Sequence, residues 1–172
     1  MIEGIVPPST FYREAPVTVR QLTLPLLLLL LPVAATAQTR TVDFITLEAA
    51  GRMVAAAEAE ARANGWGVTI AIVDPAGDLV LLHRLDGASP ASVEISQAKA
   101  RTAARFKRPT KALEEAVAGG RIVVMALPGA TPVEGGLPID LGGRIVGAIG
   151  VSGASSAQDA QVAAAGIKAL GR

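Results

Sequence analysis

The chain has 172 residues, of which 51% are hydrophobic, 18% charged and 3% aromatic, with 16 basic against 15 acidic side chains, one histidine and no cysteine. Without cysteine there is no disulfide scaffold, thiolate metal site or cysteine nucleophile, and a charge near neutrality gives no basic footprint for nucleic acid. This hydrophobicity argues against disorder, and the length suits one domain at about 100–200 residues each.

The N-terminal part breaks from the rest in composition. Residues 22–37 read LTLPLLLLLLPVAATA, a leucine run between Pro25 and Pro32 that follows Arg20 and precedes Ala35-Thr36-Ala37. A basic flank, a short apolar core and a small-x-small site form the pattern of a secretory signal peptide. The core is too short and too interrupted to span a bilayer, which takes roughly 20 apolar residues. The expected organisation is therefore an N-terminal extension and signal peptide over residues 1–37 and a single domain over residues 38–172, exported to the periplasm or the extracellular space, with no stable membrane span after processing. Residues 1–16 carry two acids and three prolines ahead of that signal; a start near Val17 or Val19 would account for them.

Residues 46–64, TLEAAGRMVAAAEAEARAN, place Leu47, Ala50, Met53, Val54, Ala57 and Ala61 at helical spacing. Thr46 is the expected N-cap and Gly65 the left-handed residue past the end. VTIAIVD (68–74) and LVLLHRL (79–85) are β-rich and flank Pro75-Ala76-Gly77-Asp78, so they read as a hairpin. Ser89-Pro90 opens a helix that runs to about Phe106, and Thr110 caps a short one ending at Gly119-Gly120. RIVVMAL (121–127) reads as a further strand. A Gly/Pro-rich loop over 128–136 leads into a second hairpin, residues 137–141 and 144–152 around Gly142-Gly143, and Ser155 or Ser156 caps the last helix. Two hairpins without regular β-α-β alternation predict an antiparallel sheet with helices packed on it, an α+β domain.

Alternation along the second strand puts Leu79, Leu81, His83 and Leu85 on one face and Val80, Leu82, Arg84 and Asp86 on the other. His83, the only imidazole, is a candidate axial or metal ligand, or else a packed strand residue; Met53 and Met125 are weaker candidates and read as core. Arg84 is either a carboxylate partner or the brace of the Asp86-Gly87-Ala88 turn. Lys99 and Thr102, three apart on one helix, can face a single ligand. In Glu134-Gly135-Gly136-Leu137-Pro138 the paired glycines can turn N–H groups inward as an anion-binding nest, and Gly147 and Gly150 suggest close approach by a backbone or ligand. No carboxylate spacing resembles a calcium loop.

Several ordered motifs carry a family resemblance: D-P-A-G-D-L (74–79), R-L-D-G-A (84–88), Q-A-K-A-R-T-A (97–103), P-T (109–110), E-G-G-L-P-I (134–139), G-A-I-G-V-S-G (147–153) and Q-D (158–159). Over residues 44–170 the chain resembles the GlcG/HbpS family, the haem-binding-like or haem-degrading domain that also forms the C-terminal domain of PduO-type proteins. The resemblance implies a profilin-like sandwich with a five-stranded antiparallel sheet, self-association from dimers to octamers, and binding of haem or another tetrapyrrole or a small anionic ligand, with a link to iron in some members. Its motif positions nominate Arg84, Asp86, Lys99, Thr102, Glu134, Gly135, Gly136, Pro138 and Gly150 as cofactor-binding residues, with His83 beside them as the metal ligand. Two functions follow as expectations: an exported protein that scavenges, buffers or reports haem without catalysis of its own, or a small-molecule enzyme or accessory acting on a 2-hydroxy acid or in oxidative haem breakdown. A single histidine and no evident acid/base pair favour the first.

Overall fold

The computed structural model describes residues 41–171; the expected extension, signal peptide and cleavage site lie outside them. Helix α1 spans Leu47–Ala63, and Thr46 caps it by accepting the Ala49 N–H at 3.2 Å. Strands β1 (Thr69–Val73) and β2 (Leu79–Arg84) form the first hairpin. The three N–H groups of Ala76, Gly77 and Asp78 converge on Asp74 Oδ1 at its turn. Helices α2 (Ser92–Phe106) and α3 (Lys111–Ala118) follow, then a 3-10 segment, Ile122–Ala126. Strands β3 (Gly136–Leu141) and β4 (Arg144–Ser152) form the second hairpin, and α4 (Ser156–Lys168) closes the chain. Ser155 and Gln158 form a reciprocal capping box at its start.

The sheet has the order β2-β1-β4-β3 with antiparallel pairing throughout. Ile70, Ile72, Ile149 and Val151 pack with Met53, Ala57, Val162 and Ala163 of α1 and α4. On the opposite face Ala71, Val73 and Ala148 meet Ala100, Ala103 and Ala104 of α2. The two central strands are thus covered on both sides, which is why all of β1 is buried. Among the described residues no helix is long and apolar enough to cross a membrane.

The α+β class holds, but the sheet has four strands rather than five. Residues 121–127 satisfy β propensity yet form a 3-10 turn. Only Val124 of that turn is buried, at 4% exposure, whereas alternation would bury every second side chain. Gly120 at φ +91° and Pro128 bracket the segment. The sheet also offers it little: Pro138 in β3 lacks an N–H and marks that strand as an edge. A second difference lies at the start of α2, which begins at Ser92 after Ala91 with no side-chain cap rather than at Ser89-Pro90; its buried face is Ser92, Ser96, Lys99, Ala100, Thr102, Ala103 and Ala104.

Candidate functional site

The motif residues of α2, α3 and the 128–136 loop meet on the α2 side of the sheet. Lys99 and Asp159 are each 2% exposed. Lys99 Nζ donates to Asp159 Oδ2 at 2.8 Å and to the Val151 carbonyl at 3.1 Å, and Asp159 Oδ1 accepts the Ala154 N–H at 3.0 Å. Burial pushes the Asp159 carboxyl above its ordinary value, opposed by the hydrogen bonds from Lys99 and Ala154. A charged pair this deep resists separation because either partner alone would be a desolvated charge.

The adjoining loop is bolted to the same helix and to α3. Thr102 Oγ1 donates to Ala98 O (2.8 Å) and lies 3.2 Å from Gly129 O, and it accepts the Thr131 N–H at 2.9 Å. Thr110, expected to cap α3, makes no side-chain cap bond; its hydroxyl accepts the Gly136 N–H at 2.9 Å instead. The N–H groups of the nest expected at Glu134-Gly135-Gly136 do not converge on one acceptor: that of Glu134 donates to the carboxylate of Glu114 and that of Gly136 to Thr110. Glu134 itself pairs with Lys111 at 3.1 Å, and that carboxylate raises the Lys111 ammonium above its ordinary value.

The glycines serve close packing in the single chain. A Cβ on Gly150 would overlap the Ser96 carbonyl oxygen and lie 2.5 Å from Ala100 N; one on Gly136 would overlap the Lys99 carbonyl oxygen. Gly135, at φ +125°, would place a Cβ 2.9 Å from Lys99 Nζ. A hollow lined by Gly135, Gly136 and Gly150 is therefore absent here, because α2 backbone and the Lys99–Asp159 pair fill it. Lys99, Thr102 and these glycines position the loop. Pro138 lies on the edge strand, half-buried.

The other nominated residues sit elsewhere. In register, His83 opposes Ile70 and Arg84 opposes Thr69, so the two point to opposite faces. His83 faces α1, where Nε2 is covered and lies 3.0 Å from Glu58 Oε2 without hydrogen-bond alignment. Glu58 also pairs with Arg62 at 2.7 Å, and chiefly through that hydrogen bond its carboxyl is held below the ordinary value. Arg84 braces the turn, donating to Ala88 O at 2.6 Å. Asp86 is exposed beside it, next to open depressions of about 240 and 260 Å³. These lie below the range of about 300–1,000 Å³ usual for enclosed ligand pockets. Among the described residues no group of three or more His, Asp or Glu side chains could hold a metal ion.

Met125, read as core in the sequence, is 66% exposed, and Ile122 and Val123 are 72% and 62% exposed beside it. A tetrapyrrole takes an apolar plane, cations for its propionates and a donor for its iron. The filled glycine region does not supply these in the single chain.

Four antiparallel strands, helices on both faces and a loop fastened by threonine and glutamate side chains define an α+β domain built around a fixed surface loop. The model of the family described as haem degrading protein HbpS-like matches residues 45–168, so the chain belongs to the HbpS-like family. Protein GlcG of Escherichia coli (strain K12) is 44% identical over 113 residues, covering 66% of this chain and 84% of that protein. The crystal structure of a double mutant of Streptomyces reticuli HbpS is similar with a TM-score of 0.74 at 36% identity, covering 83% of this chain and 98% of the other. The structure of a PduOC:heme complex is similar with a TM-score of 0.68 at 26% identity, covering 74% and 96%.

Two residues that organise the site escaped the sequence reading as such. Asp159 shares its helical face with Val162, Ala163 and Gly166, the buried residues of α4. A carboxylate on an otherwise small and apolar stripe is the signal that it needs a buried cation. Glu114 carried no comparable signal, since its partner is a backbone N–H twenty residues away.

Proposed function

We propose that this chain is a haem- or tetrapyrrole-binding protein, exported to the periplasm or extracellular space, acting as a homo-oligomer that scavenges, buffers or reports haem without catalysis of its own. The observation that carries the reading is membership in the HbpS-like family together with similarity to a domain whose structure is that of a heme complex. The exposed apolar side chains of the 3-10 segment support it, because contiguous apolar surface of this kind marks a contact site for a ligand or a second copy.

The alternative, oxidative haem breakdown, is favoured by the family's description as haem degrading. Titration of the purified domain with hemin, followed at the Soret band, tests the first reading: a saturable shift at micromolar protein is expected, and a spectrum identical to free hemin refutes it. Adding a reductant and oxygen to the complex separates the two readings. A stable spectrum supports binding alone, and steady Soret loss with biliverdin-like absorbance shows breakdown.

A further inference from the structure

A hollow of about 300 Å³ lies where four separate stretches of chain meet. Asp43 ahead of α1, Pro75 at the first hairpin turn, Ala104 and Lys107 at the end of α2, and Arg144 and Ile145 at the second hairpin all line it. Its size reaches the lower end of the range of about 300–1,000 Å³ usual for ligand pockets. A slightly larger hollow, about 330 Å³ beside the end of α4, is lined by one acid and one base, Asp140 and Lys168, and so has no surplus of charge.

The hollow at Lys107 does have a surplus. Arg144 Nη1 pairs with Asp43 Oδ2 at 2.6 Å, which orients the guanidinium and leaves its other nitrogens to a further acceptor. Lys107 is exposed and takes part in none of the ion pairs of the described residues. Two cations against one carboxylate leave one positive charge. The end of α2 contributes the opposite sign, about half a charge, and Arg108, exposed next to Lys107, offsets it. Below the charges the lining is apolar: Ala104 is buried, and Pro75 and Ile145 are half-buried.

Lys107 also departs from local backbone preference. It closes α2 at φ 52° and ψ 41°, and among the described residues it is the one residue other than glycine with a positive φ. Glycine takes this conformation freely, whereas a Cβ is disfavoured there. Strained residues of this kind collect at ligand clamps, and this one carries the unpaired cation of the hollow.

We propose that this hollow binds a small monocarboxylate with a short apolar tail, the carboxylate meeting Lys107 and Arg144 and the tail lying against Pro75, Ala104 and Ile145. One surplus positive charge matches one carboxylate, and a volume at the low end of the range admits only a small molecule. The site is separate from the haem reading and does not depend on it.

The test is titration of the isotope-labelled protein with butyrate at fixed ionic strength, followed by backbone amide shifts, with 1-butanol and inorganic phosphate as comparisons and urea unfolding as a check that each variant folds. Saturable shifts in the millimolar range are expected, confined to residues 41–43, 75, 104–107 and 143–145, with 1-butanol and phosphate each about fivefold weaker or more. Lys107→Asn removes the charge and keeps a residue suited to the left-handed region; it should weaken butyrate by about fivefold or more and raise the urea midpoint. Lys107→Arg should bind within about twofold of wild type, and Arg144→Gln about threefold more weakly. Shifts that rise linearly without saturating, or that fall elsewhere on the domain, would overturn the assignment. So would 1-butanol or phosphate matching butyrate, or Lys107→Asn binding as wild type does. Hemin titration reads the haem proposal independently of all these outcomes.

Discussion

Removing one member of the buried Lys99–Asp159 pair should be among the costliest single changes in this domain. Asp159→Leu leaves the Lys99 ammonium, 2% exposed, with only the Val151 carbonyl at 3.1 Å. Separating such a pair costs about 3–5 kcal/mol, against a total stability of about 5–15 kcal/mol for an ordinary domain. Lys99→Met leaves the carboxylate with the Ala154 N–H, but here the carboxyl has an escape, since it can take a proton. Burial already raises its affinity for one, and loss of the ammonium raises it further. A native carboxyl raised above its unfolded value favours folding below the unfolded value and loses that contribution as pH rises through the native one. Stability of Lys99→Met should accordingly increase from pH 7 toward pH 5, relative to wild type. The double variant Lys99→Met/Asp159→Leu should recover most of the loss, because a buried pair replaced by apolar side chains of similar size is commonly neutral or better. Urea unfolding at fixed protein concentration, read from the fluorescence of the single tryptophan Trp66, which packs against the core, measures all four forms. Single variants within about 0.5 kcal/mol of wild type, a scatter normal for surface changes, would refute the reasoning. So would a double variant whose loss equals the sum of the two.

Three further outcomes follow from the packing and the ion pairs. Gly150→Ala should destabilise by about 2 kcal/mol or more, since the added methyl meets α2 backbone rather than a movable side chain; an unchanged urea midpoint would refute it. Thr102→Val should cost about 1–2 kcal/mol by orphaning the Thr131 N–H; faster amide exchange confined to residues 128–132 is the signature, and uniform exchange would count against it. Glu58 should titrate below the ordinary glutamate value, and Arg62→Ala should raise its midpoint in a carboxyl-detected NMR titration. An unmoved midpoint would mean that the Arg62 hydrogen bond does not hold the charge.

Periodicity made most of the fold readable. The Thr46 cap, the Asp74 turn and the Ser155 cap are local signals, and each formed where its residues stand. The segment 121–127 misled because β propensity reports a fit to a half-buried sheet surface, and only Val124 of the segment is buried. The candidate site was legible as a set of positions but not as a role. Gly147 and Gly150 read as places of close approach by a backbone or ligand, and it is backbone that approaches, the Val73 carbonyl at Gly147 and α2 at Gly150; Gly135 and Gly136 read as an anion nest, and Lys99 crowds both. Thr102 and Lys99 take separate partners of the same chain, a loop carbonyl and a loop N–H for Thr102 and a carboxylate for Lys99. Distinguishing an internal partner from an external one requires knowing what fills the space, and spacing along a chain does not encode that. Exposure of Met125 was hidden for the same reason, because an apolar residue among apolar neighbours reads as interior.

The 3-10 segment Ile122–Ala126 buries Val124 alone, and the side-chain bonds that fix the chain just beyond it run from Thr102 to Gly129 and Thr131. Its outward side chains, Ile122, Val123 and Met125, are therefore decoupled from folding, and exchanging them should shift stability by no more than about 0.5 kcal/mol. The chemistry of this stretch of surface can change while the architecture stays put.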